Sequence, residues 1–178
     1  IIKKASFFVA ENEMSYDECV NFGVKKSKIQ IIRPPFPIDD FKNIQNLSIL
    51  KNDYGINDNF KIILFFGRLH EIKGIDLIIE GFNEICKIRN DLKLVIMGPD
   101  EGEFSSLNKQ VNELNLHDKV IFTGFISGIK KLSIIKESHI CIQSSRYEQG
   151  AGAPFEAVLC GTPILVSDNS GAGQDVKR

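Results

Sequence analysis

No run in this 178-residue chain comes near the roughly 20 consecutive apolar residues that a membrane-spanning helix requires, and no signal peptide opens it. Nor does one sign of charge dominate. With 22 Lys and Arg against 23 Asp and Glu the formal net charge is −1, which excludes the overall basic field of a non-specific nucleic-acid binder but leaves room for a local cationic pocket. The four cysteines, Cys19, Cys86, Cys141 and Cys160, form no C-x-x-C pair and sit among apolar neighbours; they read as reduced, mostly buried thiols of a cytosolic protein. Cysteine and histidine spacings make no metal site, and no D-x-D sequence occurs. Internal repeats and low-complexity tracts are also missing. What is present, 43% hydrophobic and 25% charged residues, suits one soluble globular core. The ends, Ile1 rather than Met and Val176-Lys177-Arg178 just past a glycine cluster, look cut from something longer.

Short apolar runs alternate with helical patterns along the chain. Ile29–Ile32, Ile62–Phe66, Leu92–Met97, Val120–Phe122, Ile140–Ile142 and Ile164–Val166 are mostly continuous rather than alternating, as strands buried on both faces should be. Amphipathic stretches lie between them over 75–88, 104–114 and 129–135. Strand, helix, strand repeats of this kind predict an α/β fold, a Rossmann-like doubly wound parallel sheet whose ligands bind outside the carboxyl ends of the strands. The first forty residues fit less well. Ser15-Tyr16-Asp17-Glu18 reads as a capping box opening a short helix that Gly23 ends, and the prolines of Arg33-Pro34-Pro35-Phe36-Pro37 mark a connector.

The chemistry-bearing residues follow the predicted strand ends. After Phe66 come Gly67, Arg68 and then Lys73, a planar fork of donors and a compact point charge that together suit a diphosphate. Each could equally be a solvated loop cation. The spacing is not that of a P-loop. Further on, Glu148 and Glu156 enclose Gln149-Gly150-Ala151-Gly152-Ala153-Pro154, where small residues let the backbone approach a ligand and a helix starting near Pro154 would aim its free N–H groups at an anion. On that reading Glu148 precedes the helix and Glu156 stands in its first turn. Singly, Glu156 could serve only the helix dipole and Glu148 could be merely exposed. Ser170-Gly171-Ala172-Gly173 could be a plain loop, and neither His70 nor Asp175 receives a role.

Taken in order and spacing, Phe66-Gly67-Arg68-Leu69, Lys73-Gly74, Val95-Ile96-Met97-Gly98-Pro99, Val120-Ile121-Phe122-Thr123-Gly124-Phe125, the E-x7-E pair Glu148 and Glu156, and Cys160-Gly161-Thr162-Pro163 make a more specific signal than any part. Together they resemble family 4 of the retaining glycosyltransferases, over about residues 60 to 175. The match is to the carboxyl-terminal, donor-binding half of an enzyme with two facing Rossmann-like domains. The resemblance implies that residues 1–45 are a connector leaving the acceptor domain and 46–178 a nucleotide-sugar-binding domain truncated at its end.

Carried over position by position, the resemblance implies that Arg68 and Lys73 hold the donor diphosphate, that Glu156 accepts hydrogen bonds from ribose hydroxyls, and that Glu148 faces the transferred sugar. Glu148, Arg68 and Lys73 are thereby the expected catalytic residues. Gly67 belongs to the donor loop, backbone groups of Gly124, Phe125 and Ile126 border the base, and those of Gly150, Ala151 and Gly152 contact sugar or phosphate. The expected reaction is metal-independent, retaining hexosyl transfer from a nucleotide-sugar, UDP-sugar favoured, with no cofactor. The expected acceptor is a saccharide, polyprenyl-diphosphate-linked, in bacterial surface polysaccharide (O-antigen or capsule) biosynthesis, with the full-length enzyme at the cytoplasmic membrane face and this fragment alone inactive. Two rivals share the architecture: a non-catalytic nucleotide-sugar-binding domain, and a nucleotide-sugar 2-epimerase or phosphorylase. One departure stands out, because Gly150-Ala151 follows the first glutamate's neighbour where the family has Phe-Gly, so the loop backbone is expected to run differently.

Overall fold

The structure, a computed structural model, describes residues 5–33, 35–148, 150 and 152–176. Its main body is a five-stranded, wholly parallel sheet of β3 (Lys61–Phe66), β4 (Leu92–Met97), β5 (Val120–Gly124), β6 (Ile140–Gln143) and β7 (Ile164–Val166), in the order β5-β4-β3-β6-β7. The chain therefore winds outward from β3 to β5, returns to place β6 on the other side of β3, and continues to β7. That reversal makes β3/β6 the topological switch point of the sheet. The α/β, Rossmann-like expectation holds.

Both faces are covered, which is why the strand sequences run continuously apolar. Leu64, Phe66, Val95 and Met97 point to one face and join Ile134 and Ile135 of α6 (Gly128–Glu137) and Ala157 of α7 (Gly152–Leu159). Phe65, Leu94 and Ile96 point to the other, against Ile75, Ile78, Ile79 and Phe82 of α4 (Ile75–Cys86) and Leu107 and Val111 of α5 (Phe104–Glu113). Burying each such side chain stabilises by about 1.5–3 kcal/mol before the entropy of ordering is subtracted. The predicted helices thus exist with shifted ends: α4 stops at Cys86 rather than 88, where the backbone closes on Glu84 and Ile85, α5 stops one residue early, and α6 runs from Gly128 to Glu137, beyond the predicted 129–135 at both ends.

The amino-terminal segment departs from expectation. The predicted strand at Ile29 is β2 (Ile29–Ile31), and it is no part of the main sheet; it pairs in parallel with β1 (Phe8–Ala10), which has too few residues for a readable pattern. Between them lies α1 (Glu13–Asn21), whose N-cap is Asn12 rather than Ser15: the Asn12 side chain accepts from the Ser15 N–H at 2.9 Å. Gly23, at φ +84°, ends it as predicted. Two short helices, α2 (Ile38–Lys42) and α3 (Ile49–Tyr54), are additional. The start of α3 is capped from a distance, since the Glu137 carboxylate accepts from the N–H groups of Ile49 and Leu50 at 3.0 and 2.9 Å. The glycines after Ser170 are not a loop. They form α8 (Gly171–Val176), with Ser170 Oγ accepting from Gly173 N–H at 3.0 Å.

The thiols divide into two classes. Cys141 and Cys160 are buried, whereas Cys19 and Cys86 are partly exposed, so the expectation of mostly buried thiols holds for two of the four. Burial, reinforced by the neighbouring Cys160, pushes the Cys141 thiol up to about 12; burial and then the Glu156 charge push Cys160 up to about 11. Since the thiolate is the nucleophile, a disulfide reagent at pH 8 should modify Cys19 and Cys86 in the folded protein and reach Cys141 and Cys160 only on unfolding. Peptide mapping by mass spectrometry checks the order, and early modification of Cys141 would show that its strand opens.

Candidate functional site

The carboxyl ends of β3, β4 and β5 are crowded with backbone. Gly67 N–H donates to Met97 O and Gly98 N–H donates to Gly124 O, each at 2.9 Å, so a glycine ends each of three adjacent strands. At Gly98, φ is +159° and a methyl group would lie 1.7 Å from the Gly67 carbonyl oxygen. No side chain fits there. A second close approach joins the two strands of the switch point: a methyl on Gly74, at φ +61°, would lie 2.4 Å from Ser144 O. Glycine at these positions lets the loop after β3 lie against those after β4 and β6.

That approach brings together two of the residues singled out from sequence. Lys73 sits just before Gly74, in a 3-10 turn over Glu71–Lys73 whose start is held by His70 Nδ1 accepting from Ile72 N–H at 3.2 Å. Glu148 lies in the loop after β6. The Lys73 ammonium donates to Glu148 Oε2 across the switch point, with the two side chains only 13% and 15% exposed. His70 thus shapes the turn that presents Lys73.

The other expected residues are placed separately. Arg68 turns to Glu101 in the loop after β4, donating at 2.7 Å, and remains half exposed. Glu156 is the fifth residue of α7, which begins at Gly152, not near Pro154; it is therefore not in the first turn, and the dipole explanation for it weakens. Its Oε2 is buried and ion-paired with Lys131 Nζ at 2.5 Å, and among the described residues no other group donates to it. Gly124, the last residue of β5, and Phe125 just beyond it are exposed, Phe125 to 70%, and Ile126 packs partly into the core beneath. Gly150 is half-buried, and a methyl there would meet the Glu11 carboxylate at 2.3 Å; Gly152 is exposed. Ala151 and Gln149 lie outside the described residues.

Sequence reading missed the partners. Lys131 on α6 and Glu101 carry no local pattern distinguishing them from surface charges, because the adjacency that matters is made by the return of the chain. Asp76 and Arg146 are likewise additional. Arg146 Nη1 and Nη2 donate to Asp76 Oδ1 and Oδ2 at 2.8 and 2.5 Å, and the guanidinium holds the Asp76 carboxyl below its ordinary range. Beside Glu148 opens a cleft of about 470 Å³, bounded by Glu11, Glu18, Phe22, Ile72, Tyr147 and Glu148. It places the amino-terminal segment opposite the Glu148 loop, and Tyr147 OH donates to Glu18 Oε1 at 2.5 Å across it.

Removing one partner of the Lys73–Glu148 pair leaves the other charge largely buried. Lys73→Met should therefore cost about 2–3 kcal/mol of stability, and adding Glu148→Leu should recover part of it. Urea midpoints of both single variants and the double variant measure this; strictly additive losses would show that the two charges are not coupled.

Comparison with known proteins gives the arrangement a family. The chain is 28% identical over 181 residues to mannosylfructose-phosphate synthase of Agrobacterium fabrum, an alignment spanning 96% of this chain and 39% of that one. To alpha-monoglucosyldiacylglycerol synthase of Streptococcus pneumoniae it is 30% identical over 125 residues, 70% of this chain and 28% of that one. Among solved structures, Anabaena HepE in complex with UDP and glucose superposes with a TM-score of 0.84 at 22% identity, covering 96% of this chain and 46% of that one. The chain thus spans less than half the length of each of these relatives. The family model for glycosyl transferases group 1 matches residues 48–177, taking in Arg68, Lys73, Glu148 and Glu156, and the chain belongs to that family.

Proposed function

We propose that this chain is the donor-binding half of a family 4 retaining glycosyltransferase, and that it takes a nucleotide-sugar, a UDP-sugar by preference. The observation that carries the reading is the Lys73–Glu148 pair at the switch point of a parallel sheet, a cation and a carboxylate held in the crevice where such sheets bind nucleotides. A relative solved with UDP and glucose supports the same class of donor.

Each role follows from the charge that develops. As the bond from the anomeric carbon to the diphosphate breaks, negative charge gathers on the leaving oxygens and positive charge on the sugar ring. Lys73 and Arg68 stabilise the first, and Glu148 positions the sugar and stabilises the second; because these contacts strengthen as charge separates, they lower the barrier rather than merely bind substrate. Both cations are carried at rest by carboxylates and shift toward the diphosphate oxygens as charge gathers there. Glu156, whose buried Oε2 meets only the Lys131 ammonium among the described residues, accepts from ribose hydroxyls through its carboxylate. Gly124 and the exposed ring of Phe125 border the base, Gly67 floors the diphosphate site, and the backbone of Gly150 and Gly152, with Ala151 between them, contacts the sugar.

The acceptor approaches through the cleft on the amino-terminal side of Glu148, which agrees with residues 1–45 being the connector from an acceptor domain and 46–178 the donor domain. Transfer proceeds without a metal and keeps the anomeric configuration. The acceptor is a saccharide, lipid-linked in bacterial surface polysaccharide assembly, and the work is done in the cytoplasm at the membrane face. Among the described residues no helix is long and apolar enough to cross a membrane. Without an acceptor half, this chain binds donor and turns it over negligibly.

Calorimetric titration with UDP, GDP, ADP and their glucose conjugates tests the donor assignment. UDP should bind most tightly, and Arg68→Ala and Glu156→Ala should each weaken it by about tenfold or more, the order expected for losing a hydrogen bond to a charged group. If no nucleotide binds, or both variants bind UDP as the parent does, the assignment is wrong.

A further inference from the structure

The Lys73–Glu148 pair joins two loops, and neither loop is a regular element. What holds them in register lies beside the pair rather than in it. Arg146, two residues before Glu148, donates its backbone N–H to Ile72 O at 2.8 Å, its Nη1 to Glu71 O at 2.9 Å, and both terminal nitrogens to Asp76. Asp76 in turn lies three residues after Lys73. Ser144 Oγ closes the other side by donating to Gly74 O at 2.6 Å. Every one of these contacts crosses between the segment 71–76 and the segment 144–146.

From this the geometry assigns Arg146 and Asp76 as a positioning pair: they touch no part of the donor themselves, but fix the Lys73 ammonium against Glu148 and so set where the cation meets the diphosphate. The inference rests on the donor-binding reading above. Three features carry it. The fork of Arg146 holds two points of the 71–76 segment at once, the Glu71 main-chain carbonyl and the Asp76 carboxylate, which a lysine cannot imitate because it lacks the second arm. The Arg146 and Asp76 side chains are 39% and 37% exposed, so the pair contributes little to stability and its geometric role stands apart from a structural one. The pair also ties the far end of the turn, at Asp76, to the loop after β6, beyond the Gly74–Ser144 approach and the Ile72 backbone contact.

Two readouts test this, one with ligand and one without. In Arg146→Lys and Asp76→Asn, the ratio of the UMP to the UDP dissociation constant, which reports contact with the second phosphate, should fall about fivefold or more, while the melting temperature stays within a few degrees of the parent's. Without nucleotide, the rate at which acetic anhydride modifies Lys73, only 13% exposed in the folded protein, should rise severalfold in both variants relative to Lys109, which is 76% exposed. If Lys73 modification is unchanged, the pair does not hold that side chain and the inference falls whatever binds. If modification rises and the phosphate ratio stays constant, the pair orders the loop but does not position the cation for donor, which also overturns it. Failure of the parent protein to bind either nucleotide while Lys73 modification still responds would instead overturn the donor reading and leave the clamp on Lys73 standing. Should Arg146→Lys fail to fold, Asp76→Asn supplies both readouts.

Discussion

The structure depends on backbone passing backbone where a side chain would have no room. Gly98 runs within a bond length or so of where a methyl group would strike the Gly67 carbonyl, and Gly74 does nearly the same against Ser144. These approaches draw the ends of three parallel strands, β3, β4 and β6, close enough that the loops leaving them touch. A parallel sheet with both faces covered has nowhere else to put a ligand: helices occupy its sides, and its order reverses only between β3 and β6. Glycine at the strand ends turns that topological gap into a site with a floor. The charges are placed on top of it by position in the chain, Lys73 one residue before a required glycine and Glu148 four residues after Ser144.

Much of this was legible because the physical demands are local. A strand buried on both faces must be continuously apolar, so β3 and β4 could be read from sequence almost to the residue, and α4 followed from its apolar stripe. The same logic explains the failures. β1 has three residues and exposes Val9, so no burial pattern marks it. α3 has no capping side chain of its own; Glu137, 88 positions away from Ile49, supplies the acceptor, and only the folded chain brings them together. α8 is built on glycines that disfavour helix, and it forms where Ser170 caps it and Gly171 N–H finds Glu148 O at 2.8 Å. In each case tertiary contact overrides a weak local preference.

The candidate site divides along the same line. Lys73 and Glu148 were identifiable by residue type and place, since strand ends of a parallel sheet are where ligands bind and both stand there. Their being partners was not, and neither was the dependence of Glu156 on Lys131 or of Arg68 on Glu101. Pairing is a property of the return of the chain, and 75 residues separate Lys73 from Glu148. The misplacement of Glu156 in the first turn has a similar origin: Pro154 is favoured at the start of a helix, but α7 begins two residues earlier, at Gly152.

That each of these charges already has an opposite charge beside it bears on how such a site works. An unpaired, largely buried lysine at the switch point would be costly in the empty protein and would hold any phosphate too well, substrate and product alike. With Glu148 as its resting partner, Lys73 is held in place, and on the proposed reading a diphosphate gains only the difference between two carriers of negative charge. That difference is small while the phosphate is esterified to sugar and grows as the bond breaks and charge moves onto the leaving oxygen. On that reading the carboxylate released at that moment stands beside the ring that is turning positive. On the proposed reading, one ion pair therefore separates to meet both ends of a breaking bond, and the stabilisation appears in the transition state, where it accelerates the reaction, rather than in the ground state, where it would only tighten binding.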